Sequence, residues 1–153
     1  MAKSVFVAPN ATIVGDVVLG ENVNIWYGAV LRGDSGTITV GEGTNIQDNC
    51  VLHDNTTIGS YCTIGHGAIV HGCTVGDGCL IGMGSIVLNG AVLGDGCLVG
   101  AGAVVTGKTN APAGSMLLGA PAKVVKTVTP EQIQDHYRNA EHYIADARKA
   151  FGE

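Results

Sequence analysis

The chain has 153 residues, 24 of them glycine, with only 5% aromatic residues and a formal net charge of −5. That length allows one domain with a core of its own, and an acidic chain without a basic patch excludes recognition of a nucleic-acid phosphate backbone. No apolar run is long enough to span a bilayer, and the opening MAKSVFVAPNA reads as too short and too weakly apolar for a secretory signal.

Taken in order, the chain is a repeat. Val, Ile or Leu falls every six positions at Ile13, Leu19, Ile25 and Leu31. The phase then advances by three and resumes at Val40, Ile46, Leu52, Ile58, Ile64 and Val70. One residue is dropped, and the series continues through Val75, Ile81, Val87, Leu93, Val99 and Val105. Small or compact residues recur two positions before an aliphatic, among them Ala29, Thr44, Ala68, Ser85, Ala91 and Ala103. Each hexapeptide is a short strand plus a tight turn, and three make one coil of a triangular prism with the aliphatic inside. A single coil cannot bury that face, whereas coils stacked about 4.8 Å apart bury a continuous column. Sixteen units predict about five coils.

Cys50, Cys62, Cys73, Cys79 and Cys97 all occupy the small slot of the repeat. They are expected to be compact apolar fillers, since no Cys-x-x-Cys pair suggests a thiolate metal site. An odd number of cysteines fits a reduced, cytoplasmic setting better than a disulfide framework.

Beyond Val105 the period fades into a terminal coil and a connection over the open end. Thr129-Pro130-Glu131-Gln132 then predicts a helix start, with Thr129 as cap, Pro130 in the first turn and Gln132 completing a capping box. Ile133, Tyr137, Ala140, Ile144, Ala147 and Phe151 form its apolar stripe, leaving His136 and His142 off the stripe and expected in solvent. The chain therefore divides into a β-helix domain over 1–128 and a helix over 129–153 that packs on it.

The repeat also places the histidines. His53 and His71 are eighteen residues apart, one full coil, and each follows an inward aliphatic. They should stack on one face, where a single ion can touch both. His66 belongs to the preceding face, around a corner. Imidazole–zinc bonds are only about 2.0–2.1 Å, so two copies packed side by side are expected to complete the set, and a closed three-fold ring would repeat that contact. Arg32, Asp34 and Asn89 fall on the face of His53 and His71, while Gln47 and Asp48 fall on that of His66. Asp48 should stack with His66, and an Arg32–Asp48 pair across the interface is expected.

With LRGD (Leu31–Asp34), NIQD (Asn45–Asp48), Leu52-His53, GHGAIVHG (Gly65–Gly72) and IGMGSIVLNGA (Ile81–Ala91), the chain resembles the γ-class carbonic anhydrases over nearly its whole length. The resemblance implies an all-β, left-handed parallel β-helix followed by a C-terminal α-helix; the left hand comes from the family, since right-handed crossovers are the general rule. It implies a homotrimer with zinc or ferrous iron on His53, His66 and His71 at subunit interfaces. It places Arg32 and Asp48 in an intersubunit salt bridge, Gln47 near the metal-bound water, and Asn45 and Asp34 in the surrounding hydrogen-bond network. The implied reaction is reversible hydration of carbon dioxide to bicarbonate by a metal-bound hydroxide, with no nucleic-acid or membrane partner.

The chain departs from the family's founding enzyme in its proton relay. Only twelve residues, none of them Glu, separate His53 from His66, and Ser35 follows Asp34 where that enzyme has a Glu. A weak reaction or a different relay is the expectation, with Tyr143 on the terminal helix within possible reach but more simply a packing residue. Two other readings stand beside this one. A coenzyme A-dependent hexapeptide acyltransferase or thioesterase is suggested by GAPAKVV (Gly119–Val125), and a trimeric scaffold with a vestigial metal site needs no chemistry at all.

Overall fold

In the computed structural model, which describes residues 4–152, the six-residue period becomes short strands joined by tight turns around three walls. Parallel pairing stacks each inward residue on its equivalent one coil away. On the first wall Ile25, Ile46, Ile64, Ile81, Val99 and Leu117 form one column. On the second, Leu31, Leu52, Val70, Val87 and Val105 do so. Val40, Ile58, Val75, Leu93 and Ala111 line the third. All sixteen of these side chains are buried. The solenoid makes about six turns and matches the left-handed hexapeptide β-helix. The count exceeds the expected five because Phe6–Val7 adds to one end and Asn110–Ala111 with Ser115–Gly119 extend the other.

The phase advance has a structural cause. Strand Val30–Val40 bends from the second wall into the third. Its Arg32 and Ile38 pair with His53 and Thr56, so six steps face three. The excess bulges outward and carries Asp34 and Ser35 over His53.

The outer surfaces of the walls differ. The third presents Val18, Thr39, Thr57, Thr74, Val92 and Asn110, a mixed column centred on threonines. The second presents Val30, Val51, Ile69, Ile86 and Val104, none of them fully buried in the single chain. That wall thus carries an unbroken aliphatic column on its outer face.

The C-terminal helix, Pro130–Phe151, lies over the early strands of the first wall. Its start is the expected capping box, with Thr129 accepting from the Gln132 backbone N–H and the Gln132 side chain accepting from the Thr129 N–H. Trp26 anchors it, edge-on to Tyr143 at 5.5 Å and to Phe151 at 5.0 Å. One expectation fails here. His136 is buried beside Ala140, Ile144 and Ala147 rather than solvated. Its Nδ1 lies 2.8 Å from the Gly78 carbonyl, which pulls the ring inward at a position the apolar stripe did not include. His142 is exposed as expected.

All five cysteines are buried and unpaired. The Cys50 thiol donates to the Gly65 carbonyl and the Cys62 thiol to that of Gly76, each at 3.0 Å. Burial pushes Cys50 up to about 11 and Cys73 up to about 12. These groups therefore stay protonated and are neither nucleophiles nor thiolate ligands. At pH 8 the folded chain should resist iodoacetamide at all five, and denaturant should expose all five at once, as counted by mass spectrometry. The raised pKa values add a stability that is constant below the ordinary thiol pKa of 9.0 and is lost as pH climbs from there towards about 11.

Candidate metal centre

The second wall brings His53 and His71 into register as direct pairing partners. Their inner nitrogens, Nδ1 of His53 and Nε2 of His71, lie 3.0 Å apart. The outer nitrogens decide what that means. His53 Nε2 faces Asp34 Oδ1 at 3.0 Å and the Ser35 hydroxyl at 3.1 Å. His71 Nδ1 faces the Asn89 carbonyl oxygen at 2.6 Å. A carboxylate and an amide oxygen are acceptors, so in each neutral ring they draw the proton to the outer side. The two inner nitrogens then confront each other as bare lone pairs. Two lone pairs at hydrogen-bond distance are relieved by a shared proton or by a cation placed between them. This donor set fits zinc or ferrous iron, and the outer carboxylate and amide are the partners that metal-bound imidazoles ordinarily have.

Asp34 is itself held. Arg32 donates to its other oxygen at 2.6 Å, and this contact, with the His53 bond second, keeps the carboxyl below its usual range. Both side chains of the ion pair are half exposed, so the pair orients more than it stabilises.

His66 stands on the other side of the corner, its side chain 50% exposed. Asp48 stacks beneath it as expected and meets Nδ1 at 3.0 Å, which leaves Nε2 free to ligate. Among the described residues, no three His, Cys, Asp or Glu side chains of one chain are grouped to hold an ion. His53 and His71 meet on one wall, while His66 lies on the other side of the corner with Asp48.

Beside His66 an apolar groove of about 380 Å³ runs between the first wall and the helix, floored by Leu80 and Leu98 and edged by Gln47 and Tyr143. Gln47 is buried and set by a directional amide chain. Asn45 Nδ2 donates to the Cys62 carbonyl at 3.2 Å and the Thr63 hydroxyl at 2.9 Å. The Asn45 oxygen therefore faces Gln47 and accepts one N–H of its Nε2 at 3.0 Å, leaving the Gln47 oxygen and the second N–H for a ligand. Tyr143 packs on Trp26 and also lines the groove, and burial, then Asp48, raises its pKa.

Every residue singled out from the sequence thus falls into one of two groups: Arg32, Asp34, His53, His71 and Asn89 on one wall, and Asn45, Gln47, Asp48 and His66 on or beside the other. In the single chain Arg32 bonds Asp34 and Asp48 bonds His66. Sequence reasoning passed over Ser35 as a hydrogen-bond partner and missed Asp54, whose Oδ2 accepts from the Asn89 amide at 3.0 Å. The signal was present: Asp54 precedes Asn89 by thirty-five residues, one full coil plus the shortened one.

A family model described as the GMPPB C-terminal domain matches residues 34–134, and one described as bacterial transferase hexapeptide (six repeats) matches residues 1–33. A probable carbonic anhydrase of Methanocaldococcus jannaschii is 47% identical over 94% of this chain and 93% of its own length. The mitochondrial gamma carbonic anhydrase 2 of Arabidopsis thaliana is 44% identical over 93% of this chain, which spans only 55% of that longer protein. A crystal structure of a hexapeptide transferase family protein from Anaplasma phagocytophilum superposes with a TM-score of 0.93 at 47% identity, over 96% of this chain and 89% of that one.

Proposed function

Since the chain belongs to the γ-carbonic anhydrase family, we propose that it is a trimeric, metal-dependent catalyst of carbon dioxide hydration, with each ion shared between neighbouring subunits. The observation that carries this reading is the pair of inward imidazole nitrogens at 3.0 Å with both outer nitrogens held by acceptors. His53 and His71 of one subunit and His66 of its neighbour would hold zinc or ferrous iron, which supplies Lewis acidity and brings a bound water's pKa towards neutrality. The apolar outer column of the second wall supports a neighbouring subunit packed against that face.

The protein's own residues do the rest. Asp34, Asn89 and Asp48 keep the three imidazoles in the ligating tautomer. Gln47, held through one N–H of its amide, keeps its oxygen and a second N–H with which to orient the reacting water or the bicarbonate product. Leu80 and Leu98 exclude bulk water from one side, which suits an apolar substrate such as carbon dioxide. No glutamate stands between His53 and His66 to carry the proton away, and Ser35 is occupied on His53. Proton transfer to buffer should therefore limit turnover.

The test is stopped-flow carbon dioxide hydration on protein of measured metal content, loaded with zinc in air or with iron anaerobically. The expected result is one ion per subunit interface and a rate that climbs with buffer concentration. Full loading without hydration by either metal would leave a scaffold with a vestigial site. A protein that takes up no ion but binds coenzyme A would instead favour the acyltransferase or thioesterase reading, for which the open apolar groove beside His66 is the supporting observation.

A further inference from the structure

His53 and His71 solve the same problem by different means. The outer nitrogen of His53 meets a carboxylate, Asp34, which accepts whichever way it turns. The outer nitrogen of His71 meets an amide, Asn89, which accepts at one end and donates at the other. Turned the wrong way, Asn89 would offer N–H groups to His71 Nδ1. The imidazole proton would then belong on Nε2, where the ion has to bind. Something must decide which end of the amide faces the ring.

Asp54 stands where that decision is made. It occupies a left-handed turn at φ 67°, with its Oδ1 accepting the Asn55 N–H at 2.9 Å. Its Oδ2 accepts from Asn89 Nδ2 at 3.0 Å, although the two residues lie two coils apart. The reach is possible because the rung between them is Gly72, where a Cβ would overlap the Asn89 amide nitrogen. A carboxylate can only accept, so the NH2 end of Asn89 is committed to Asp54 and its oxygen to His71.

We propose that Asp54 is a positioning residue that acts across the empty Gly72 rung: it orients Asn89, keeps the His71 proton on Nδ1 and leaves Nε2 bare towards His53. The consequence for metal affinity rests on the metal-centre reading above; the tautomer itself does not. Removing an outer partner of this kind ordinarily costs about 10–100-fold in metal affinity.

The test uses the full chain with 15N-labelled histidine, in wild type, Asp54→Ala and the double variant Asp54→Ala/Asn89→Asp. A carboxylate at position 89 cannot present a donor, so the double variant should no longer need Asp54. Ring 15N shifts are read after chelator treatment at pH 8, and zinc affinity is read by competition with a chromophoric chelator. The expected result is a single Nδ1–H tautomer for His71 in wild type, a mixture in Asp54→Ala with zinc affinity down about 10–100-fold, and recovery of both in the double variant. Circular dichroism and size confirm that each variant folds. An unchanged His71 tautomer in Asp54→Ala, or a folded double variant that fails to recover it, overturns the proposal. A wild type that binds no zinc overturns the metal reading instead, while the ring shifts still decide the role of Asp54.

Discussion

Chains carrying His66→Ala, mixed and reassembled with chains carrying His71→Ala, should regain metal binding that neither possesses alone. On the proposed arrangement each variant breaks every site of its own homotrimer, because a site would draw His66 from one subunit and His53 with His71 from the next. In a mixed ring the His71→Ala chain still offers His66, and the His66→Ala chain still offers the paired rings. Random assortment in a closed ring makes about one interface in four intact, so roughly a quarter of wild-type loading should return, with carbon dioxide hydration in proportion. Differently tagged chains, co-purified and analysed for metal, provide the measurement. Loading that stays at zero although both tags are recovered together would mean that the three imidazoles do not meet across an interface. The single-chain geometry makes this a demanding test, since no three candidate ligands of one chain are grouped among the described residues.

Much of the fold was legible because a six-residue period leaves little freedom. Once Leu52 and Val70 point inward one coil apart, His53 and His71 have to share an outer face, and the structure pairs them directly. The same count stacked Asp48 under His66 and put Asn89 on the face of His71, where the structure brings the two into contact. What the period could not supply was anything that leaves the rungs. The outward bulge of Val30–Val40 turned Asp34 and Ser35 over His53, and a count that treats the phase advance as a gap does not see it. Asp54 was passed over for a related reason: its spacing to Asn89 spans two coils, and only the absence of a side chain at Gly72 lets the two meet. His136 was misplaced because helical periodicity weighs polarity, whereas one backbone carbonyl of the solenoid, Gly78, was enough to draw the imidazole inside.

Two neighbouring residues separate the stability of the solenoid from that of the assembly. Leu52 is fully buried in the column of the second wall, and Leu52→Ala should cost about 2–5 kcal/mol, because stacked coils above and below cannot close the cavity. That loss should be independent of protein concentration, and it should disturb His53, which follows on the same strand. Val51 points outward from that strand and is half-buried in the single chain. Val51→Ala should leave secondary structure and the isolated coil intact but weaken subunit association. Its melting temperature should then fall more steeply on dilution than that of the wild type, as expected when assembly contributes to stability. Thermal unfolding across a hundredfold range of concentration, with sedimentation at each, distinguishes the two. A Val51→Ala protein whose melting and association match wild type throughout would show that this apolar wall is not where subunits meet. The paired imidazoles of His53 and His71 would then lack a route to the third ligand.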